Sequence, residues 1–226
     1  MTSLLGLVIV TAQTSIASDY KTNHYLVGID FFGYGNLEDN LEQVQSEQSN
    51  EVLLLGGEPQ KKREVSGGIG FRVGYMRSLS ANTRVGVSVG YIPSLKSELT
   101  INDPVFPPGS LTTEIDTSYV RALMELGQYF HLSDKFALKL GGGIGVAKAK
   151  TDQTYSGSGF YESDSATYSA TNTGLAWEIS PALVLAIGAT ELELGVRYTG
   201  LPTIKETDEV YEVGYSGFGA FAAIVF

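Results

Sequence analysis

The sequence predicts an all-β chain, folded as an eight-stranded antiparallel up-and-down transmembrane β-barrel. Three observations carry that reading. Apolar residues recur with a period of two along eight segments. The links between those segments alternate between short and long. The charged residues of the segments fall on one face only. A helix repeats its apolar face every 3.6 residues and a strand every two, so the period chooses between them.

The segments follow one another along the chain. Tyr25, Val27, Ile29 and Phe31 alternate with Leu26, Gly28, Asp30 and Phe32. Val65, Ile69, Phe71, Val73 and Tyr75 alternate with Ser66, Gly68, Gly70, Arg72 and Gly74. Val85, Val87, Val89 and Tyr91 alternate with Arg84, Gly86, Ser88 and Gly90. Val120, Ala122, Met124, Leu126 and Phe130 form the fourth apolar row, opposite Arg121, Leu123, Glu125 and Gly127. Phe136, Leu138, Leu140, Ile144 and Val146 form the fifth, opposite Ala137, Lys139, Gly141, Gly143 and Gly145. Leu175, Trp177, Ile179, Leu183 and Leu185 form the sixth, opposite Ala176, Glu178, Ser180 and Ala182. Leu192, Leu194, Val196 and Tyr198 form the seventh, opposite Glu193, Gly195, Arg197 and Thr199. The last row is Phe218, Ala220, Ala222, Ile224 and Phe226, opposite Gly217, Gly219, Phe221, Ala223 and Val225. Each segment has about the 9–11 residues that a tilted membrane strand needs.

The short links are 77–83, 131–135 and 188–191, and the long ones are 36–64, 96–117, 148–173 and 200–209. Alternate links of a meander lie at the same end. One end therefore carries tight turns and the other long loops, as in barrels with periplasmic turns and extracellular loops. The run 52–55 within the first long link is apolar. It reads as an extension of strand two, with a hydrophobic contact surface as the alternative.

The polar face carries Asp30, Arg72, Arg84, Arg121, Glu125, Lys139, Glu178, Glu193 and Arg197. A soluble barrel would turn this face to water, and a membrane barrel would pair these charges in its lumen. Three features favour the membrane. Small residues alternate with bulky ones, which suits a narrow interior holding long Arg side chains. Aromatics stand near both strand ends, with Tyr75, Phe130, Phe136 and Phe226 toward the turns and Tyr91, Trp177 and Tyr198 toward the loops. Such rings mark two lipid–water interfaces. The sequence also stops inside a strand, which would leave an open edge unless the barrel closes.

Composition excludes several classes of function. Lys plus Arg is 15 and Asp plus Glu is 25, a net charge of −10, which argues against nucleic acid as partner. There is no Cys and there are only two His, so thiolate chemistry and His-rich metal sites are excluded. No catalytic, cofactor or metal site is expected. Residues 36–64 hold seven acids against three bases, and 96–117 and 205–212 are acidic too. The loop end therefore concentrates negative charge, suited to divalent cations or a basic protein partner. His24 reads as a surface residue. The run 141–145 reads as the inward glycines of a tight strand, since no helix follows to make a phosphate loop. Glu178, Glu193, Arg121 and Arg197 either line an ion path or pair to fill the barrel. An eight-stranded interior is just wide enough for side chains, which favours filling.

Residues 1–17 carry no charge, and 4–10 form an apolar core of signal-peptide length. Ser15 and Ala17 supply small residues for cleavage after Ala17. This reads as an atypical signal peptide without a basic n-region, leaving 18–226 as the barrel domain. The alternative is a buried first strand or helix.

The strand ending in Phe226, the hairpin 128–136 and the Gly run 141–145 resemble the outer-membrane β-barrel superfamily, of the OmpA/OmpX/opacity-protein type. The resemblance covers almost all of 20–226. It implies location in the cell outer membrane, contact with lipid and lipopolysaccharide, and assembly through the terminal strand by the barrel-assembly machinery, with Phe226 as signal. It also implies a non-enzymatic role in envelope structure, with surface loops open to an unknown extracellular partner. The alternatives are a narrow porin for small solutes or a soluble secreted barrel for a lipophile. His131 and Ser133 form an H-x-S pair similar to that of barrel lipid A deacylases. They fall in a turn expected on the periplasmic side, away from the outer leaflet, and read as turn residues.

Overall fold

The computed structural model describes residues 23–104, 109–159, 165–207 and 209–226, without the side chain of residue 43. The 1–17 signal expectation lies outside them. The described residues form nine strands: β1 (Asn23–Phe32), β2 (Gln60–Ser66), β3 (Gly68–Ser78), β4 (Thr83–Asp103), β5 (Gly109–His131), β6 (Phe136–Gly159), β7 (Ser165–Ile187), β8 (Thr190–Ile204) and β9 (Val213–Val225). One α-helix, α1 (Glu42–Leu54), follows a 3-10 turn at Asp39–Leu41.

Eight strands form a closed antiparallel ring in the order β1-β3-β4-β5-β6-β7-β8-β9, and β9 returns to β1. The closing ladder runs from Leu26↔Val225 to Phe32↔Gly219. Its end is sealed by the Tyr25 and Phe226 amides, each donating to the other's carbonyl at 2.8 and 3.0 Å. Closure matters because an unpaired strand edge leaves a row of backbone donors and acceptors without partners. The ninth strand, β2, pairs only with β4, above the ring.

Side chains alternate along the ring strands within the span of the apolar rows. In β1, Tyr25, Val27, Ile29 and Phe31 are exposed, whereas His24, Leu26, Gly28, Asp30 and Phe32 are buried. The same parity holds around the ring, so the apolar rows all face outward. Within the apolar rows no outward residue is charged, and the exposed Arg77 of β3 stands just beyond Tyr75 on the turn side. The three turns sit where the short links were expected, at 79–82, 132–135 and 188–189.

The opposite end differs from the sequence reading. Residues 96–117 and 148–173 are not simple loops, because β4, β5, β6 and β7 run far past the apolar rows. A register shift between Ile92 and Leu95 marks where β4 leaves the ring and begins this extension. The β7–β8 ladder ends at Trp177↔Gly200, so the extension is a one-sided wall built from β2, β4, β5, β6 and β7. The run 52–55 is not a strand extension either. It ends α1 and continues into Gly56, whose φ of 84° takes the chain out of the helix.

α1 packs on the inner face of this wall. Val44, Gln48 and Val52, spaced four apart on one helix face, are buried. With Leu41 they meet Leu99, Ile101, Ile115 and Val213 in an apolar cluster. Gln48 Nε2 donates to Thr113 Oγ1 at 2.6 Å, and Asn40 Nδ2 donates to the Gly214 carbonyl at 2.9 Å. The first long link is thus a folded cap over the barrel mouth, while Leu53, Leu54 and Leu55 stay exposed.

Val52→Asp places an unpaired carboxylate in that cluster and should release the cap. Trypsin cleavage within 61–63 should then accelerate strongly, while the ring still migrates as a folded species on an unheated gel.

Candidate functional site: the interior of the barrel

The strand parity that turns the apolar rows outward sends the charged residues set between those rows inward. Charges from seven strands meet in a stack of layers. Nearest the turns, Arg84 Nη1 and Nη2 donate to Glu191 Oε2 and Oε1 at 2.5 and 2.6 Å, a bidentate pair. The Arg84 guanidinium lies 4.4 Å from the Tyr129 ring centroid. One layer up, Lys139 Nζ is 2.7 Å from Glu193 Oε2, and Tyr129 donates its hydroxyl to Glu193 Oε1 at 3.1 Å.

The middle layer is a cluster of three arginines and three carboxylates. Arg121 donates from Nη1 to Glu178 Oε2 and from Nη2 to Asp30 Oδ2, both at 2.7 Å. Arg197 Nη1 reaches the same two oxygens at 3.1 and 3.0 Å. Arg72 Nη1 joins Glu125 Oε1 at 3.1 Å to Glu178 Oε1 at 3.3 Å. Arg197 and Arg72 also stack near the Phe221 ring, at 4.3 and 5.5 Å. Arg72, Arg121 and Arg197 are each no more than 2% exposed.

Two glycines make room. A Cβ on Gly90 would come 2.9 Å from Arg121 Nε, and one on Gly195 would come 2.8 Å from the Phe221 ring and 2.3 Å from the Pro181 carbonyl. Among the described residues, Asp30 Oδ1, the Nε and Nη2 atoms of Arg72 and Arg197, and Thr199 Oγ1 are buried without a protein partner. Ordered water ordinarily serves such groups in protein interiors.

Above the cluster the lumen becomes apolar. Phe32, Ile92, Leu95, Tyr119, Leu123, Leu201 and Tyr215 belong to one buried cluster that leads up to the cap. The interior is therefore occupied by ion pairs below and by apolar side chains above.

All nine charged residues expected in the lumen point into it. The tenth, Glu191, was missed because the sequence reading assigned it to the turn 188–191. Its odd-numbered parity with Glu193 and Arg197 was the available signal. With it, five cations face five anions. Tyr129 and Phe221, which sandwich the cations, were not read as site residues either. His24 corrects another expectation: it is buried and bonded to Ser78 Oγ at 3.0 Å, not a surface residue. Ser133 Oγ accepts from the Lys135 and Phe136 amides at 3.3 and 3.2 Å, and His131 Nε2 lies 3.4 Å from the Ala81 carbonyl. Both serve the turns.

The aromatic rows occupy the outer surface at two levels. Tyr25 contacts Tyr75 and Phe226 at ring distances of 5.7 and 6.2 Å near the turns, where Phe130 and Phe136 are also exposed. Trp177, Tyr198 and Phe218 form the opposite group, with Trp177–Tyr198 at 5.5 Å and Tyr198–Phe218 at 4.8 Å. Tyr91 is exposed on β4, eight residues above the turn-end start of that strand.

Fold and interior together define an eight-stranded barrel with an apolar exterior and a filled, ion-paired lumen. No family model and no curated protein matches the chain. Several solved structures are similar in fold, among them the following three. Ail, the attachment invasion locus protein of Yersinia pestis, is 13% identical, with 91% of this chain and 99% of that one covered and a TM-score of 0.36. Neisserial surface protein A is 12% identical, with 89% and 94% covered and a TM-score of 0.42. The outer membrane protein OprG from Pseudomonas aeruginosa is 10% identical, with 90% and 94% covered and a TM-score of 0.45. At these identities the likeness concerns the fold alone, and the barrel rests on its own closed ring of pairings.

Glu178 accepts from three arginines, so Glu178→Ala takes a partner from each and leaves Asp30 and Glu125 to serve three buried guanidinium groups. Breaking a buried pair costs roughly 3–5 kcal/mol. Glu191→Ala releases only the partly exposed Arg84 and should cost less. Guanidinium unfolding followed by gel mobility should rank Glu178→Ala well below Glu191→Ala in midpoint.

Proposed function

We propose that this chain is a non-enzymatic integral outer-membrane β-barrel that contributes to envelope structure and presents a folded, acidic outer end to the surroundings. One observation carries this: the exposed band of the barrel is apolar all the way round, while its charges are gathered inside. In water such a band would drive aggregation. In a bilayer it is the required surface, because lipid solvates apolar side chains and closed ladders leave no backbone group unpaired. The eight-residue step from Phe218 to Phe226 along β9 rises about 27 Å. A tilt of about 40° reduces that to roughly 20 Å, near the height of the apolar band in such barrels.

Both ends of the described barrel, Asn23 and Phe226, lie on the turn side. We assign that side to the periplasm and the cap with the β4–β7 wall to the exterior. The terminal strand closes the ring by pairing with β1, which supports its role as the segment handed to the barrel-assembly machinery, with Phe226 at its end. The outer-leaflet lipid and lipopolysaccharide would meet the ring at Tyr91, Trp177 and Tyr198. A basic surface partner suits the acidic exterior. The porin alternative is disfavoured by the arginine cluster, which crosses the lumen from β1 to β5 to β8 and lies under an apolar plug. The soluble alternative is disfavoured by the apolar exterior.

Two measurements test this reading. Purified protein in a planar bilayer should show no steady conductance. A large, stable channel in the unmodified protein would overturn the filled-barrel account. Leu194→Arg, on the exposed band, should lower stability in lipid vesicles by roughly 2–4 kcal/mol if it lies at the bilayer midplane. Asn102→Arg, on the exposed face of the β4 extension, should cost little. Equal tolerance at the two positions would contradict the membrane assignment.

A further inference from the structure

A cavity of about 370 Å³ opens in the outer end, between α1, β6, β7 and the segment after β8. Its walls carry three tyrosines, Tyr155, Tyr168 and Tyr211, and three carboxylates, Glu47, Glu206 and Glu209. Tyr155 is the centre of the aromatic set. Its ring lies 5.8 Å from that of Tyr168 and 5.9 Å from that of Tyr211, at tilts of 56° and 57°. The rings are therefore successive walls of a concave surface, not a flat stack.

The hydroxyls hold these walls in place. Tyr155 donates to Gln153 Oε1 at 2.7 Å, and Tyr211 donates to Glu47 Oε2 at 2.8 Å. Gln153 Nε2 in turn donates to the Tyr211 carbonyl, and the Tyr211 amide donates to Gln153 Oε1, both at 2.9 Å. Gln153 is fully buried, so it fixes β6 to the segment that carries Tyr211. Burial first, then the Glu47 carboxylate and more weakly Glu206, hold the Tyr211 phenol well above its ordinary range. Tyr155 is pushed up to about 12, again chiefly by burial. Burial and the neighbouring carboxylates thus both favour the neutral phenols of Tyr155 and Tyr211.

Neutral aromatic walls and carboxylates attract the same kind of guest, a cation with an apolar sleeve. The ring quadrupole holds it from the sides and the carboxylates supply the long-range charge. A bare metal ion fits poorly. Among the described residues, no three His, Asp or Glu side chains are placed to hold one. The volume falls in the range of small-molecule sites. We propose that this cavity binds small organic ammonium ions, with the tyrosines as the cage and Glu47, Glu206 and Glu209 as the charge partners. Because the cavity lies wholly outside the apolar band, this holds or fails independently of the membrane assignment.

The test uses the full chain purified in detergent, with spermidine as probe and magnesium chloride at equal ionic strength as competitor. Calorimetric titration should give one saturable spermidine site that magnesium displaces poorly. Tyr155→Leu should weaken it about three- to fivefold, the loss of one ring contact. Tyr168→Leu should do the same, which guards against local misfolding in either variant alone. The double change Glu206→Gln with Glu209→Gln should weaken it by about tenfold. Gel mobility of each unheated variant confirms that the barrel is folded. Absence of a saturable site would overturn the proposal. So would binding that magnesium abolishes and the tyrosine changes leave intact, since that is the behaviour of a merely acidic surface.

Discussion

Glu178 stands where three guanidinium groups converge, and the rest of the barrel can be understood as what is needed to keep it there. Its two oxygens are shared among Arg72, Arg121 and Arg197, whose other contacts run to Asp30 and Glu125. The cluster thereby joins β1, β3, β5, β7 and β8 across the lumen. A buried charge is costly unless it is paired, and a single pair seldom repays its desolvation. A shared network does better, because Glu178 and Asp30 each accept from more than one arginine and each arginine meets two carboxylates. Five cations and five anions leave the interior without net charge. The ring of phenyl and phenol groups beside them, Phe221 and Tyr129, adds cation–π attraction to a space that water enters little.

The exterior follows from the same parity. In a strand, successive side chains point to opposite faces, so a chain that commits its charges inward also commits the alternate positions outward. In the membrane setting proposed for the barrel, lipid accepts only apolar groups there. Every outward residue from Tyr25 to Phe31, from Val85 to Tyr91 and from Leu192 to Tyr198 meets that condition. The closing ladder between β1 and β9 then removes the last strand edge. Above the band the constraint relaxes, and the strands carry Ser, Thr and Lys outward as they rise beside the folded cap.

That relaxation explains which parts of the structure the sequence reveals. Within the band, apolar and polar positions alternate with high contrast, so the eight ring strands and the inward face of nine charges are legible from period alone. The upper strands offer no such contrast. Along 165–175, Ser, Thr, Ala and Asn stand on both faces, and pairing there is dictated by continuation of the ladder below. The helix α1 hides for a similar reason. Its buried stripe of Val44, Gln48 and Val52 is narrow and contains a polar residue, too little to stand out from an acidic link. Glu191 was lost by placing a turn two residues too long, and His24 by ignoring its parity with Leu26. The tyrosine-lined cavity draws on segments more than a hundred residues apart, so no local pattern announces it.

The central claim is a filled interior inside a lipid-facing shell, and β6 allows both halves to be tested on one strand. The chain has no cysteine, so single replacements can be labelled cleanly. Leu140 and Ile144 face outward, whereas Ala137 and Ala147 are buried inward. Cysteines at these four positions, in protein reconstituted into vesicles, can be probed with a water-soluble maleimide and, after fluorophore attachment in the unfolded state, with spin-labelled lipids. The account predicts quenching by lipid at 140 and 144, and slow maleimide reaction at 137 and 147. Rapid aqueous labelling at 147 with lipid quenching absent at 140 would contradict it, because the interior would then be open water and the shell would not face lipid.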